Sequence, residues 1–323
     1  LNTFPWPLLL AVWLLDAALG DPDYPWHPIR LLGALSLRLE HWLFDSGLKG
    51  HGGGALHWLL VIGAALAGWW LPHWLLAAVD PLLAMGWDLF LAYSLLCTRD
   101  LLDHGRRVLE QLHDLPRARR ALSRLVGRDT EPLQTDGIVR ATIESLAENL
   151  TDAVLTPFWA LCLFGPPGLV LVKAISTLDS MVGYRNARYR RFGTLAARTD
   201  DLIHWLPARL SAPLIALAAA FLRLGGQPLH PKLALTTAWH QHALLPSPNS
   251  GWSEAACAGA LRSRLLGPIH RHGKLVSNRF MGATHWPANL DASDLRRALT
   301  LIACASWISL ACGLAMAVLV VRG

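Results

Sequence analysis

Charge is scarce in this 323-residue chain: only 16% of residues are Asp, Glu, Lys or Arg, against 53% hydrophobic. That balance excludes a disordered chain and lies outside the usual globular range. Tyrosine and phenylalanine are also few, four and eight, whereas tryptophan reaches fifteen. Indole rings favour the boundary between acyl chains and headgroups, so with a mean hydropathy of +0.33 the composition points to a membrane protein rather than a Trp-rich soluble core. The five cysteines, Cys97, Cys162, Cys257, Cys304 and Cys312, stand singly, with no C-x-x-C pair and no metal-ligand spacing. They read as small buried hydrophobes. Also missing are G-x-x-x-x-G-K-[ST], G-x-G-x-x-G after a strand, G-x-S-x-G and H-E-x-x-H. His230, His240, His242, His270 and His272 share one polar region without a zinc pattern and read as structural or surface residues. The net charge of +6 is spread over several loops rather than one stripe with aromatics between, which excludes a nucleic-acid partner and favours lipid headgroups or phosphate-bearing substrates.

Long apolar runs fill much of the remainder. Residues 5 to 19 predict a short, uncleaved first helix interrupted by Asp16. Residues 55 to 79 are long enough to span, with Pro72 a kink or an end, and 82 to 97 return as a second helix whose Asp88 turns toward protein. No Lys or Arg occurs from 50 to 98 and nine occur from 99 to 140, which places that loop in the cytoplasm. Within it GRRVLEQLHDLPRARRALSRLVG predicts a helical hairpin broken at Pro116. The run 153 to 172 is interrupted by Gly165-Pro166-Pro167-Gly168, which predicts two half-helices, and 205 to 224 and 299 to 321 are further spans. Six basic residues in 173 to 203 and nine in 223 to 298 leave the topology open. The expectation is an all-α polytopic membrane protein with four to six transmembrane or re-entrant helices, one domain over 1–323, and polar loops at 20–54, 98–152, 173–203 and 225–298.

Four polar stretches could carry chemistry. In RATIESLAENLTDAVLTP, Glu144, Glu148 and Asp152 recur every four residues along one stripe of a helix. They read either as a solvated or Arg-paired face or as hard oxygen ligands for Mg²⁺, with Asn149 orienting them. The stretch 176 to 193 joins Asp179 to Tyr184, Arg185, Asn186, Arg188, Tyr189, Arg190 and Arg191, a phosphate-binding set or a positive-inside anchor. Asp200 and Asp201, near a helix start, read as caps. The proline-stiffened GDPDYPWHPIR presents Asp21, His27 and Arg30, and SPNSGWSEAACAGA offers Asn249, Ser250 and Ser253 at a helix start, where hydroxyls cap the helix or meet an anion. Small residues at 255 to 260 allow close helix packing.

Four ordered strings, LLDAALGDPDYPWHPIRLLG, GIVRATIESLAENLTDAVLTPFW, STLDSMVGYRNARYRRFGTLAARTDDLIHWLPARL and SPNSGWSEAACAGAL, together resemble the adenosylcobinamide-phosphate synthases, the CbiB/CobD family of cobalamin biosynthesis. The resemblance spans nearly the whole chain. It implies a multi-pass protein of the bacterial inner membrane that acts beside other cobalamin-biosynthesis enzymes. The implied reaction is ATP-dependent amide formation between the free propionate of adenosylcobyric acid and (R)-1-amino-2-propanol or its O-phosphate, through an acyl phosphate. In that chemistry Glu148 and Asp152, supplemented by Glu144 or Asp179, would hold Mg²⁺, and Arg30, Arg185 and Arg188 would meet phosphates. The Asn249 to Ser253 turn would take another anionic group, and His27 would manage the amine proton. The competing expectation is a non-enzymatic corrinoid-binding scaffold or a regulatory relative of the same fold.

Overall fold

The computed structural model describes residues 5–21 and 24–322; Pro22 and Asp23 of the first polar loop lie outside the described residues. The chain is almost entirely helical: α1 (Trp6–Leu19), α2 (Pro28–Asp45), α3 (His51–Val79), α4 (Pro81–Leu95), α5 (Thr98–Gln111), α6 (Leu115–Leu122), α7 (Thr135–Asn149), a π-helical segment (Leu150–Leu155), α8 (Thr156–Val182), α9 (Thr194–Leu224), α10 (Pro231–Gln241), α11 (Ser250–Leu261) and α12 (Ala292–Arg322). One antiparallel hairpin, β1 (Leu265–Arg271) and β2 (Lys274–Met281), interrupts the helices. Nothing in the alternation of its residues had suggested it.

Among the described residues five helical stretches are long and apolar enough to cross a bilayer: His51–Val79, Pro81–Gln111, Thr135–Val182, Thr194–Leu224 and Ala292–Leu319. This is a multi-pass membrane protein. On α3 the residues Leu59, Leu60, Trp70, Leu71, Trp74 and Leu75 are exposed, a face that lipid would cover. Pro72 neither ends nor divides α3. Asp88 faces α3 as expected, accepting hydrogen bonds from Trp69 Nε1 at 2.8 Å and His73 Nδ1 at 3.0 Å. Within α8 the backbone at Gly165 turns to φ +67°, so two helical pieces meet at a kink, the break that Gly165-Pro166-Pro167 predicted.

The described chain forms two compact units. The first comprises the described residues within Leu1–Arg99, Thr156–His204 and Cys312–Gly323, the second Asp100–Leu155 and Trp205–Ala311. In the first, Leu9, Val12 and Trp13 of α1 are buried, with Trp13 edge-on to Phe158 at 5.2 Å. Asp16 does not interrupt α1; buried, it accepts the Thr98 N–H at 3.1 Å. In the second, α10 and α11 approach so closely that a Cβ on Gly259 would stand 2.2 Å from the Leu233 carbonyl oxygen. The small residues at 255–260 have the packing role their composition suggested. The helical hairpin is present, but the break falls before Pro116: Asp114 caps α6 through the Arg117 N–H at 3.2 Å, and Pro116 sits in the first turn, where its missing N–H costs nothing.

Candidate functional site

The predicted site residues fall into both units. In the first, His27 caps the start of α2: its Nδ1 accepts the Ile29 N–H at 3.3 Å while Nε2 meets the Ser94 carbonyl at 2.9 Å and Asp21 at 3.2 Å. Both ring nitrogens are thus engaged in holding the loop. Arg30 donates to the Tyr24 carbonyl at 3.3 Å. Asn186 accepts the Tyr189 N–H at 2.9 Å and closes a turn, with the Tyr184 and Tyr189 rings 6.4 Å apart. Arg188 reaches buried Glu40 at 2.7 Å, which also accepts the Tyr189 hydroxyl at 3.0 Å, and its guanidinium lies 4.4 Å from the Phe44 ring centre. Arg185 stays exposed near Asp201.

Asp179 stands beside Asp200, Asp201 and His204. Asp200 and Asp201 are not caps, because α9 begins six residues earlier than Asp200, at Thr194. Asp200 instead accepts the Ser176 hydroxyl at 2.9 Å and approaches His204 Nε2 at 3.3 Å, while His204 Nδ1 meets the Thr156 hydroxyl at 2.7 Å. This network, buried at His204 and Thr156 and half-buried at Ser176 and Asp200, has little signature in the sequence. The i,i+4 spacing of Asp200 and His204 was its only visible sign.

The second unit gathers the acids of the opening helix. Glu144 is 2% exposed; its Oε2 meets Arg128 Nη2 at 2.6 Å and its Oε1 accepts the Leu266 N–H at 2.7 Å. Leu266 has φ +60°, an uncommon conformation for a non-glycine residue, which this bond holds. Glu144 is therefore a brace with both oxygens committed. Glu148 is open to solvent although protein crowds it, and Arg128, Glu144 and Arg271 are its charged neighbours. The four-residue stripe does not continue uniformly, because the π-helical turn after Asn149 changes the register that carries Asp152. Asn149 does not orient the acids; its amide donates to the Ser145 carbonyl at 2.9 Å.

The residue that sequence reasoning passed over is Glu254. It lies one position beyond Ser253 in α11, 4% exposed, with Glu148, Glu144, Asp152 and Arg128 as charged neighbours. Burial first, and then the charges of Glu148 and Glu144, push its carboxyl well above the ordinary range. Ser250 and Ser253 do not cap α11: the Ser247 hydroxyl accepts the Asn249 and Ser250 N–H groups at 3.2 and 3.4 Å, and Ser253 donates to the Ser250 carbonyl at 3.3 Å. Asn249, Ser250 and Ser253 are all buried.

Among the described residues no three His, Cys, Asp or Glu side chains close into a metal cage. Mg²⁺ rarely uses one: it keeps waters and binds through one or two carboxylates plus substrate phosphates. Glu148, which is accessible, and Asp152, both charged neighbours of Glu254, offer hard oxygens of that kind.

A helical membrane protein with a carboxylate group on α7 and α11 defines the class. Residues 8–302 match the CobD/Cbib protein family, and the chain belongs to that family. It is 36% identical to the cobalamin biosynthesis protein CbiB of Salmonella arizonae over 306 residues, 93% of each chain. It is 37% identical to the cobalamin biosynthesis protein CobD of Citrobacter koseri, covering 96% of each, and 40% identical to that of Photorhabdus laumondii, covering 85% of this chain and 88% of the relative. No solved structure matches it.

Proposed function

We propose that this protein is an enzyme of cobalamin biosynthesis in the bacterial inner membrane, an ATP-dependent ligase that joins the free propionate of adenosylcobyric acid to (R)-1-amino-2-propanol or its O-phosphate. Membership of the CobD/Cbib family over nearly the whole chain supports the pathway. The observation that carries the chemistry is the second unit's acidic group, in which Glu148 is reachable while Glu144 and Glu254 are buried.

A carboxylate resists amines until one oxygen becomes a leaving group. Phosphoryl transfer from ATP to the propionate gives an acyl phosphate; amine attack then forms the C–N bond, expels phosphate and releases a proton. Mg²⁺ held by Glu148 and Asp152 would neutralise the phosphoryl oxygens. Arg128 fixes Glu144, and Arg271 adds positive charge near Glu148, where an anionic substrate would lie.

The test is ATP- and Mg²⁺-dependent amide formation by purified, membrane-reconstituted protein, with Glu148→Ala and Asp152→Ala assayed separately. Loss of turnover in both supports the reading, and unchanged turnover in both sinks the metal role. A wild-type protein that binds corrinoid but never turns over with any amine or nucleotide would make it a scaffold.

A further inference from the structure

The hairpin of α5 and α6, in the second unit, holds a feature that the acidic group does not explain. Along α5, His104, Arg107 and Gln111 recur at three- and four-residue spacing; Arg117, Arg120, Ala121 and Arg124 do so from α6 into the turn beyond it. Residues so spaced share a helix face, and these two faces line one cleft of about 410 Å³. Four arginines and a histidine border it, and no carboxylate does. Arg117 is tied to Asp114 at 3.1 Å and His104 to Asp100 at 3.2 Å. Arg107, Arg120 and Arg124 have no ion-pair partner among the described residues. Two neighbouring arginines outside the cleft are engaged otherwise: Arg106 pairs with Asp103 at 2.6 Å, and Arg119 donates a hydrogen bond to the Leu133 carbonyl at 2.9 Å.

Arginines on a solvated helix normally spread over a convex surface, where water screens them. Here three uncompensated guanidinium groups border a shared concavity, an arrangement whose self-repulsion an anion relieves. Guanidinium forks match phosphoryl oxygens bidentately. A single phosphate carries too little charge to balance three arginines, whereas a chain of two or three phosphoryl groups balances them within a small volume. We infer that this cleft binds a polyphosphate-type anion, supplied either by the phosphoryl chain of a nucleoside di- or triphosphate or by two or three anionic phospholipid headgroups gathered together. The inference does not depend on the amide-forming reading, because it concerns binding and needs no turnover.

The test is calorimetric titration of the full-length protein, first in detergent free of added lipid, with inorganic tripolyphosphate and then orthophosphate. Tripolyphosphate is expected to bind at least about tenfold more tightly, and the Arg107→Gln/Arg120→Gln/Arg124→Gln variant to weaken it by about tenfold or more, equivalent to about 1.4 kcal/mol. Arg106→Gln, outside the cleft, should leave it unchanged. Single Arg120→Gln, exposed and without a partner, provides the same reading with a partial loss if the triple variant misfolds. Repeating the titration in nanodiscs separates the sources: binding kept in phosphatidylcholine and in phosphatidylglycerol-containing discs assigns the cleft to a soluble polyphosphate. Binding kept in the former and abolished in the latter assigns it to lipid headgroups. Absence of tripolyphosphate binding in both detergent and phosphatidylcholine discs overturns the inference, as does an equal loss in Arg106→Gln and the cleft variants.

Discussion

The two units treat charge differently. In the first, several charged groups are taken up by their neighbours: Glu40 takes Arg188 and Tyr189, Asp88 takes Trp69 and His73, and Asp200 is drawn into the Ser176–His204–Thr156 network. In the second, charge of each sign is left over in separate places. Arg128, joined by Arg271 near Glu148, faces Glu144, Glu148 and Glu254, while three arginines without an ion-pair partner line a cleft that no carboxylate borders. Networks of this kind specify packing, because their members satisfy one another. Surplus charge on a folded protein costs stability and is kept where a ligand completes it. The contrast teaches where to look for chemistry in this molecule.

The sharpest way to break that contrast is Glu148→Gln. If the accessible acid of the second unit serves the reaction, amide formation falls by about 100-fold or more while the thermal midpoint stays near wild type. An active variant would move the chemistry out of this group. Next in size, Glu144→Gln should lower unfolding free energy by about 3 kcal/mol, since it strips a largely buried Arg128 of its charge partner. Denaturant titration of the purified protein reads this, and a neutral result would mean that Glu144 is not a brace. For the first unit, Ser176→Ala should cost about 1 to 2 kcal/mol by leaving Asp200 and His204 short of a partner, with turnover per folded molecule reduced no more than about threefold. A collapse of turnover without loss of stability would place chemistry in the network regarded here as structural.

The smallest effect concerns pH. The Glu254 carboxyl binds its proton more tightly in the folded than in the unfolded chain, so its contribution to stability is fully present below the ordinary carboxyl pKa and is lost as pH rises toward the raised folded value. Wild-type thermal midpoints should therefore decline over that range, and Glu254→Gln, which cannot ionise, should flatten the decline. Parallel profiles for the two proteins would show that Glu254 is not the group responsible.

Much of this was legible along the chain. Apolar length marked the spans, Gly165-Pro166-Pro167 marked the kink in α8, and the run of small residues at 255–260 marked the tight approach of α10 and α11. Such features are local: they follow from the period of the helix and from backbone sterics. Caps and breaks were less legible. Ser247 rather than Ser250 or Ser253 serves the start of α11, and Asp114 rather than Pro116 sets the start of α6, because caps depend on the backbone angles a few residues upstream. The hairpin β1–β2 left no readable signal, since much of it is exposed and lacks a clean apolar alternation.

The site divides along the same line. Residue types and their four-residue recurrence were enough to single out Glu144, Glu148 and Asp152 as a group. They could not separate the three, since one spacing serves a brace and an accessible acid alike. Only the folded chain spends both oxygens of Glu144 on Arg128 and Leu266, leaves Glu148 open to solvent and inserts a π-helical turn before Asp152. Only the folded chain brings Glu254 to them across about a hundred intervening residues (148 to 254). The sequence by itself determined a membrane-crossing helical chain of the CobD/Cbib family, because hydropathy and ordered motifs are written residue by residue. The tertiary structure decided which charges neutralise each other and which remain, because that depends on distances and desolvation that no linear spacing contains.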